Sequence, residues 1–136
     1  MQKSHHLDRY GPFALAVLRI VTGLIFMEHG TQKLFGFPVP PEHEQPALLS
    51  LSGIGGIMEF GGGLLIVLGL FTRPVAFLLA GEMAVAYWMF HAPRNLYPIL
   101  NGGDAAILYC FVFLFLVFAG AGAWSIDGAL SRKRLY

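Results

Sequence analysis

Apolar residues run through four stretches of the chain, about Gly11–Phe35, Leu51–Phe71, Pro74–His91 and Gly102–Gly120, with polar or turn-forming residues between them. Each approaches the roughly 20 residues that a helix needs to cross the hydrocarbon core of a bilayer. The third is short, but Pro74 suits a first helical turn, so nearly its whole length can be helical. The breaks carry their own signals: Phe37-Pro38-Val39-Pro40-Pro41 ends the first stretch, Thr72-Arg73-Pro74 turns tightly from the second into the third, and Ala92-Pro93-Arg94 closes the third. The pattern predicts an all-α protein, an integral membrane four-helix transmembrane bundle forming one domain over residues 1–136.

Composition supports lipid as the solvent. Hydrophobic residues make up 56% of the chain and charged residues 12%, with mean hydropathy +0.63; a soluble domain carries about a quarter charged residues. A formal net charge of +1 and the lack of a basic stripe argue against nucleic acid as a partner. The single cysteine, Cys110, excludes an internal disulfide and a CxxC redox pair. Among large apolar neighbours it reads as packing rather than as a reactive thiol.

Lys3 and Arg9 ahead of an apolar run resemble a secretory leader. The run is too long for one, Arg19, Glu28 and His29 interrupt it, and no A-x-A site follows, so a retained helix is expected. With four spans, Lys3, Arg9, Arg73, Arg132, Lys133 and Arg134 fall on one side, and Lys33 and Arg94 on the other. The basic side is expected to be cytoplasmic, which places both termini there. His5 and His6 read as solvated terminal residues.

Ionisable groups inside a bilayer are costly unless paired or wetted, so each one needs a role. Arg19, Glu28, Glu59 and Glu82 lie well inside the apolar stretches. Counted from the helix starts, Arg19 and Glu82 come roughly 10 and 12 Å deep, which predicts an ion pair between them. In the second stretch Gly55, Gly56, Glu59, Gly62, Gly63, Ile66 and Gly69 share an arc of roughly 140°. Such a glycine face admits a neighbouring backbone and turns Glu59 into the bundle. Lys33 either snorkels to the interface or joins the interior.

A second polar level gathers Glu28, His29, Glu59, His91 and Asp104 in the outer half. Imidazoles and carboxylates are metal-ligand types, but no paired-ligand spacing such as HxxxH occurs, so no metal site is assigned. A wetted pocket is the expectation, with Asp104 alternatively serving the N-terminus of the fourth helix. The loop Ala92–Gly103 reads as a short irregular lid.

Several segments in order resemble the DoxX family. They are Arg19; His29-Gly30-Thr31-Gln32-Lys33-Leu34-Phe35; Gly56, Glu59 and Gly62-Gly63, then Leu68-Gly69-Leu70-Phe71-Thr72-Arg73-Pro74; Gly81-Glu82-Met83; His91; Asn101-Gly102-Gly103-Asp104; and Trp124-Ser125-Ile126-Asp127. Asp104 stands where the family favours Glu, which keeps the carboxylate but shortens its reach. The resemblance implies a multi-pass protein of a bacterial inner membrane associated with redox chemistry.

Three functions stay open at this level. One is a membrane component of an oxidoreductase system that binds a quinone-like molecule within the bundle and works with a membrane or redox protein partner. The second is a non-catalytic assembly subunit. The third is a small-molecule transporter, which would need a homo-oligomer. The candidate ligand-binding or proton-relay residues are Arg19, Glu28, His29, Lys33, Glu59, Glu82, His91 and Asp104. No residue is assigned a catalytic role, and no cofactor motif is present.

Overall fold

The computed structural model describes residues 6–39 and 45–134. Lys3, His5, Pro40 and Pro41, which carry part of the sequence pattern, lie outside these residues. A short 3-10 turn leads into α1 (Gly11–Phe35), followed by α2 (Leu51–Leu68) and α3 (Thr72–Ala86), which runs on as a π-helical turn over Tyr87–His91. The short α4 (Pro98–Asn101), then α5 (Asp104–Ala119) and α6 (Ile126–Lys133) complete the chain.

Local chemistry sets these limits. Ser50 accepts a hydrogen bond from the Gly53 N–H at the start of α2, as a capping hydroxyl should. Gly36 and Gly69 end α1 and α2 at φ 64°, a left-handed turn that glycine makes without a Cβ clash. α1, α2 and α3 with its π turn are long and apolar enough to span a membrane, and α5 is a shorter apolar helix of 16 residues. Large apolar side chains such as Val21, Ile25, Phe77, Leu78, Phe111 and Phe118 face outward. That belt is tolerable only against lipid, and the molecule is an integral membrane helical bundle.

The bundle is built of two pairs, α1 with α2 and α3 with α5. Glycines set the first pair. A Cβ on Gly63 would lie 2.5 Å from Met27 Cγ, and one on Gly23 would lie 3.0 Å from the Gly63 carbonyl. Gly62 receives Leu79 of α3 in the same way. The glycine face of α2 is therefore occupied within the chain. Phe26, Ile66, Leu79, Phe113 and Leu116 fill the centre between the helices.

At the base, where α1 begins and α5 finishes, the ends are tied together. Arg19 is fully buried and donates all five of its N–H bonds to backbone carbonyls: Nε to Ala121, one terminal nitrogen to Ile66 and Val67, and the other to Ala123 and Trp124. Two of these carbonyls belong to the last turn of α2, whose dipole favours a cation. The rigid five-donor fork of guanidinium suits such a set, whereas an ammonium would not. Arg73 likewise donates to the carbonyls of Val117 and Phe118 at the end of α5. Asp127 does the converse, accepting the N–H groups of Phe71 and Thr72 at the start of α3.

The expected ion pair of Arg19 with Glu82 is absent, and the reason is register. Gly23 lies against Gly63, and Leu79 against Gly62, so Arg19 is level with the end of α2 while Glu82 is level with Glu59. The Arg19 guanidinium packs on Gly69, and Glu82 Oε1 lies beside Gly55, fourteen positions away on α2. That corresponds to about 21 Å along the helix axis. Equal counts from two helix starts are not equal depths, because α1 starts further out than α3.

Candidate functional site

Away from the base the four long helices enclose a cleft of about 640 Å³. Phe26, His29 and Lys33 of α1 line it, with Gly55, Met58 and Glu59 of α2, Glu82, Met83, Val85 and Ala86 of α3, and Ala106 and Tyr109 of α5. His91, Arg94 and Gly102 line its far end. An apolar hollow with a few convergent polar groups is the usual form of a small-molecule site.

Lys33 turns inward rather than out to the interface. Its Nζ lies 2.8 Å from Glu59 Oε1, and its side chain is 34% exposed against 5% for Glu59. The glycine face of α2 buries Glu59, so the ammonium offsets a charge that would otherwise stand alone. Glu82 reaches across to the same place: a Cβ on Gly55 would lie 3.4 Å from Glu82 Oε1 and 3.8 Å from Lys33 Nζ. One oxygen of each carboxyl, Glu59 Oε2 and Glu82 Oε2, is buried with no hydrogen-bond partner among the described residues. Buried polar atoms are normally satisfied, and leaving one bare costs about 1–3 kcal/mol.

Aromatic and imidazole groups complete the walls. His29 meets Tyr109 edge-on at 5.8 Å between ring centroids, and Tyr109 also packs on Phe26. His91 closes the π turn, whose signature is the Ala92 N–H bonded to the Tyr87 carbonyl at 2.9 Å. Such turns insert one residue into a helix and are frequent at functional sites. The His91 ring sits 3.1 Å from the Asn101 carbonyl through Nδ1. Asn101 is itself buried; its amide donates to Asn95 and to the Tyr87 hydroxyl and accepts from the Gly103 N–H. These bonds hold the loop from 92 to 103 together at the far end of the cleft, where Arg94 and Gly102 stay exposed.

Of the sequence candidates, His29, Lys33, Glu59, Glu82 and His91 meet in this cleft. Glu28 and Asp104 are exposed and do not line it. Arg19 belongs to the base. Tyr109 and Arg94 line the cleft without being candidates from the sequence, and Asn101, part only of a family-like segment there, acts from behind by holding His91 and the loop. A tyrosine within an apolar span is the available signal for the first, since its hydroxyl needs a partner or water. Among the described residues no group of three or more His, Cys, Asp or Glu side chains could hold a metal ion.

Outside the spans, burial pushes the Asp127 carboxyl up, but hydrogen bonds from Thr72 and Phe71 and the charge of Arg19 outweigh it. The net effect holds the carboxyl below its ordinary value.

Fold and site together define a small integral membrane bundle with a polar-lined cleft between two helix pairs. The DoxX family profile matches residues 14–92. An uncharacterised protein of Haemophilus influenzae is 41% identical over 95% of this chain and 99% of its own length. The inner membrane protein YqjF of Escherichia coli is 30% identical over 86% of this chain and 92% of its own. An uncharacterised membrane protein of Mycobacterium tuberculosis is 30% identical over 93% and 87%. No solved structure gives a significant match. The chain belongs to the DoxX family.

Proposed function

We propose that the cleft binds a quinone-like molecule and that the protein is the membrane component of an oxidoreductase system. The observation that carries this reading is a pair of buried carboxyl oxygens, Glu59 Oε2 and Glu82 Oε2, with no hydrogen-bond partner among the described residues, inside a largely apolar cleft. A quinone ring offers flat apolar faces to Phe26, Met58 and Tyr109, and its two oxygens need polar neighbours. Lys33 is the donor for a quinone carbonyl, and the carboxyls accept the hydroxyl groups of the quinol. Reduction to quinol takes up two electrons and two protons. Glu59 and Glu82 are the proton-exchanging groups in this scheme, with His29 and His91 towards the far end. A redox partner supplies the electrons. The base faces the cytoplasm, following the excess of Lys and Arg there, and the cleft lies towards the other side of a bacterial inner membrane.

The test is the lipid extract of protein purified in mild detergent. Quinone is expected at near one equivalent per chain from the parent and far less from Glu82→Gln purified in the same way. An assembly subunit whose charges serve only packing gives extracts without quinone from both. A reporter active only in the cytoplasm, fused after Tyr136, checks the orientation.

A further inference from the structure

We infer that the cleft opens sideways into the bilayer between α2 and α3, so its ligand is a membrane-dissolved molecule with a polar ring and an apolar tail leaving past Gly81. This rests on the reading of the cleft as a quinone-like site and specifies how that site is reached and by which molecules.

The other seams between helices are shut. Glycine contacts close α1 against α2, and α3 packs closely along α5. α1 and α5 touch little through their backbones, but aromatic rings bridge them: Phe26 lies 4.9 Å from Phe113 and 5.1 Å from Tyr109 between centroids, and His29 meets Tyr109. At the far end, beside the loop held by Asn101, the lining residues Arg94 and Gly102 are polar or small and exposed, so that mouth faces water rather than acyl chains. Between α2 and α3, Leu79 seated on Gly62 closes only the lower part. Above it the lining residues Ile54 and Val85 are 45% and 53% exposed, although they belong to the cleft. Gly81 lies on the same rim, and a Cβ built there meets nothing within 4 Å. Leu79 on Gly62 sets the register of the two antiparallel helices and puts Gly81 level with about Phe60, the middle of the 18-residue α2, and so near the middle of a core about 30 Å thick. An opening at that depth faces acyl chains, which suits a tail and not a water-borne ligand.

The experiment compares binding of a long-tailed quinone and of the same ring without a tail, using full-length protein in nanodiscs. Gly81→Trp and Val85→Trp place an indole across the rim. Gly61→Trp is the control, because a Cβ there also meets nothing within 4 Å and Gly61 does not line the cleft. The expected result is that each rim variant weakens the long-tailed quinone about tenfold or more relative to the bare ring, a size set by the apolar surface of the tail that can no longer be buried at the rim. The control keeps the parent's preference. Equal effects on both compounds, or no effect on either, would overturn the lateral opening while leaving the ring site standing. A parent that binds neither compound overturns the quinone reading itself, and the opening with it.

Discussion

Arg19 and Glu82 are both charged side chains within apolar helices, and the fold treats them in opposite ways. At the base, Arg19 has every N–H bonded to a carbonyl and no exposure. In the cleft, Glu82 is held beside Lys33 and Glu59 but keeps a buried oxygen without a partner among the described residues. A saturated group stabilises the structure and has nothing left to offer a ligand. An unsaturated one lowers stability and can be satisfied by something that binds. The difference separates a region that holds the helices together from a region that can do chemistry.

Removing Arg19 should have the largest effect. Arg19→Met leaves five carbonyls without their donor, and a loss of about 3–5 kcal/mol is expected in denaturant unfolding, as for other broken buried charge networks. Arg19→Lys should recover only part of it, since an ammonium has three donors for five acceptors. Combining Arg19→Met with Glu82→Gln should give the sum of the two single effects, because the two side chains share no partner. Strong coupling between them would erase the distinction between base and cleft.

Lys33 and Glu59 come next. Lys33→Met strands a buried carboxylate, but the ammonium is partly exposed, so about 2–3 kcal/mol is expected rather than the full range for buried pairs. Adding Glu59→Gln should restore much of the stability, as read by the same unfolding titration.

Asp127 sharpens the picture of the base through pH. Its carboxyl is held below the ordinary carboxylate value in the folded state. Its contribution is therefore complete above the unfolded value near about pH 4 and is lost as pH falls through the lower folded value. Asp127→Asn should lower stability at neutral pH by about 1 kcal/mol, the size of a helix cap. Thermal melts from pH 7 to 3 should then show a shallower acid decline than the parent. Glu82→Gln should have the smallest effect, within about 1 kcal/mol of the parent or slightly stabilising, as is common where a polar group serves binding.

How much of this can be read from the sequence divides along the same line. The apolar stretches and their Gly and Pro punctuation reveal the helices, because lipid tolerates little else. The glycine arc of α2 identifies the inward direction of Glu59 for the same reason. Partner choice is not legible. The expected pairing of Arg19 with Glu82 relies on counting from helix starts, whereas the actual depths follow from which glycines meet across α1, α2 and α3. Arg19 instead finds carbonyls, including those around Gly120, Gly122 and Trp124, residues with positive φ in a segment whose shape no periodicity encodes. The roles of Asn101 and Tyr109 depend on the loop and on α5 meeting the π turn and α1. These are contacts between distant parts of the chain, and they carry no local signal.

The most direct measurement is the melting temperature of the parent and of Glu82→Gln in detergent, with and without added quinone. Once co-purified quinone has been stripped from both, the two proteins should melt within a few degrees of each other, and added quinone should raise the melting temperature of the parent alone, by several degrees at saturating concentration. No rise in the parent, or the same rise in both, would contradict a cleft in which the Glu82 carboxyl binds the ligand.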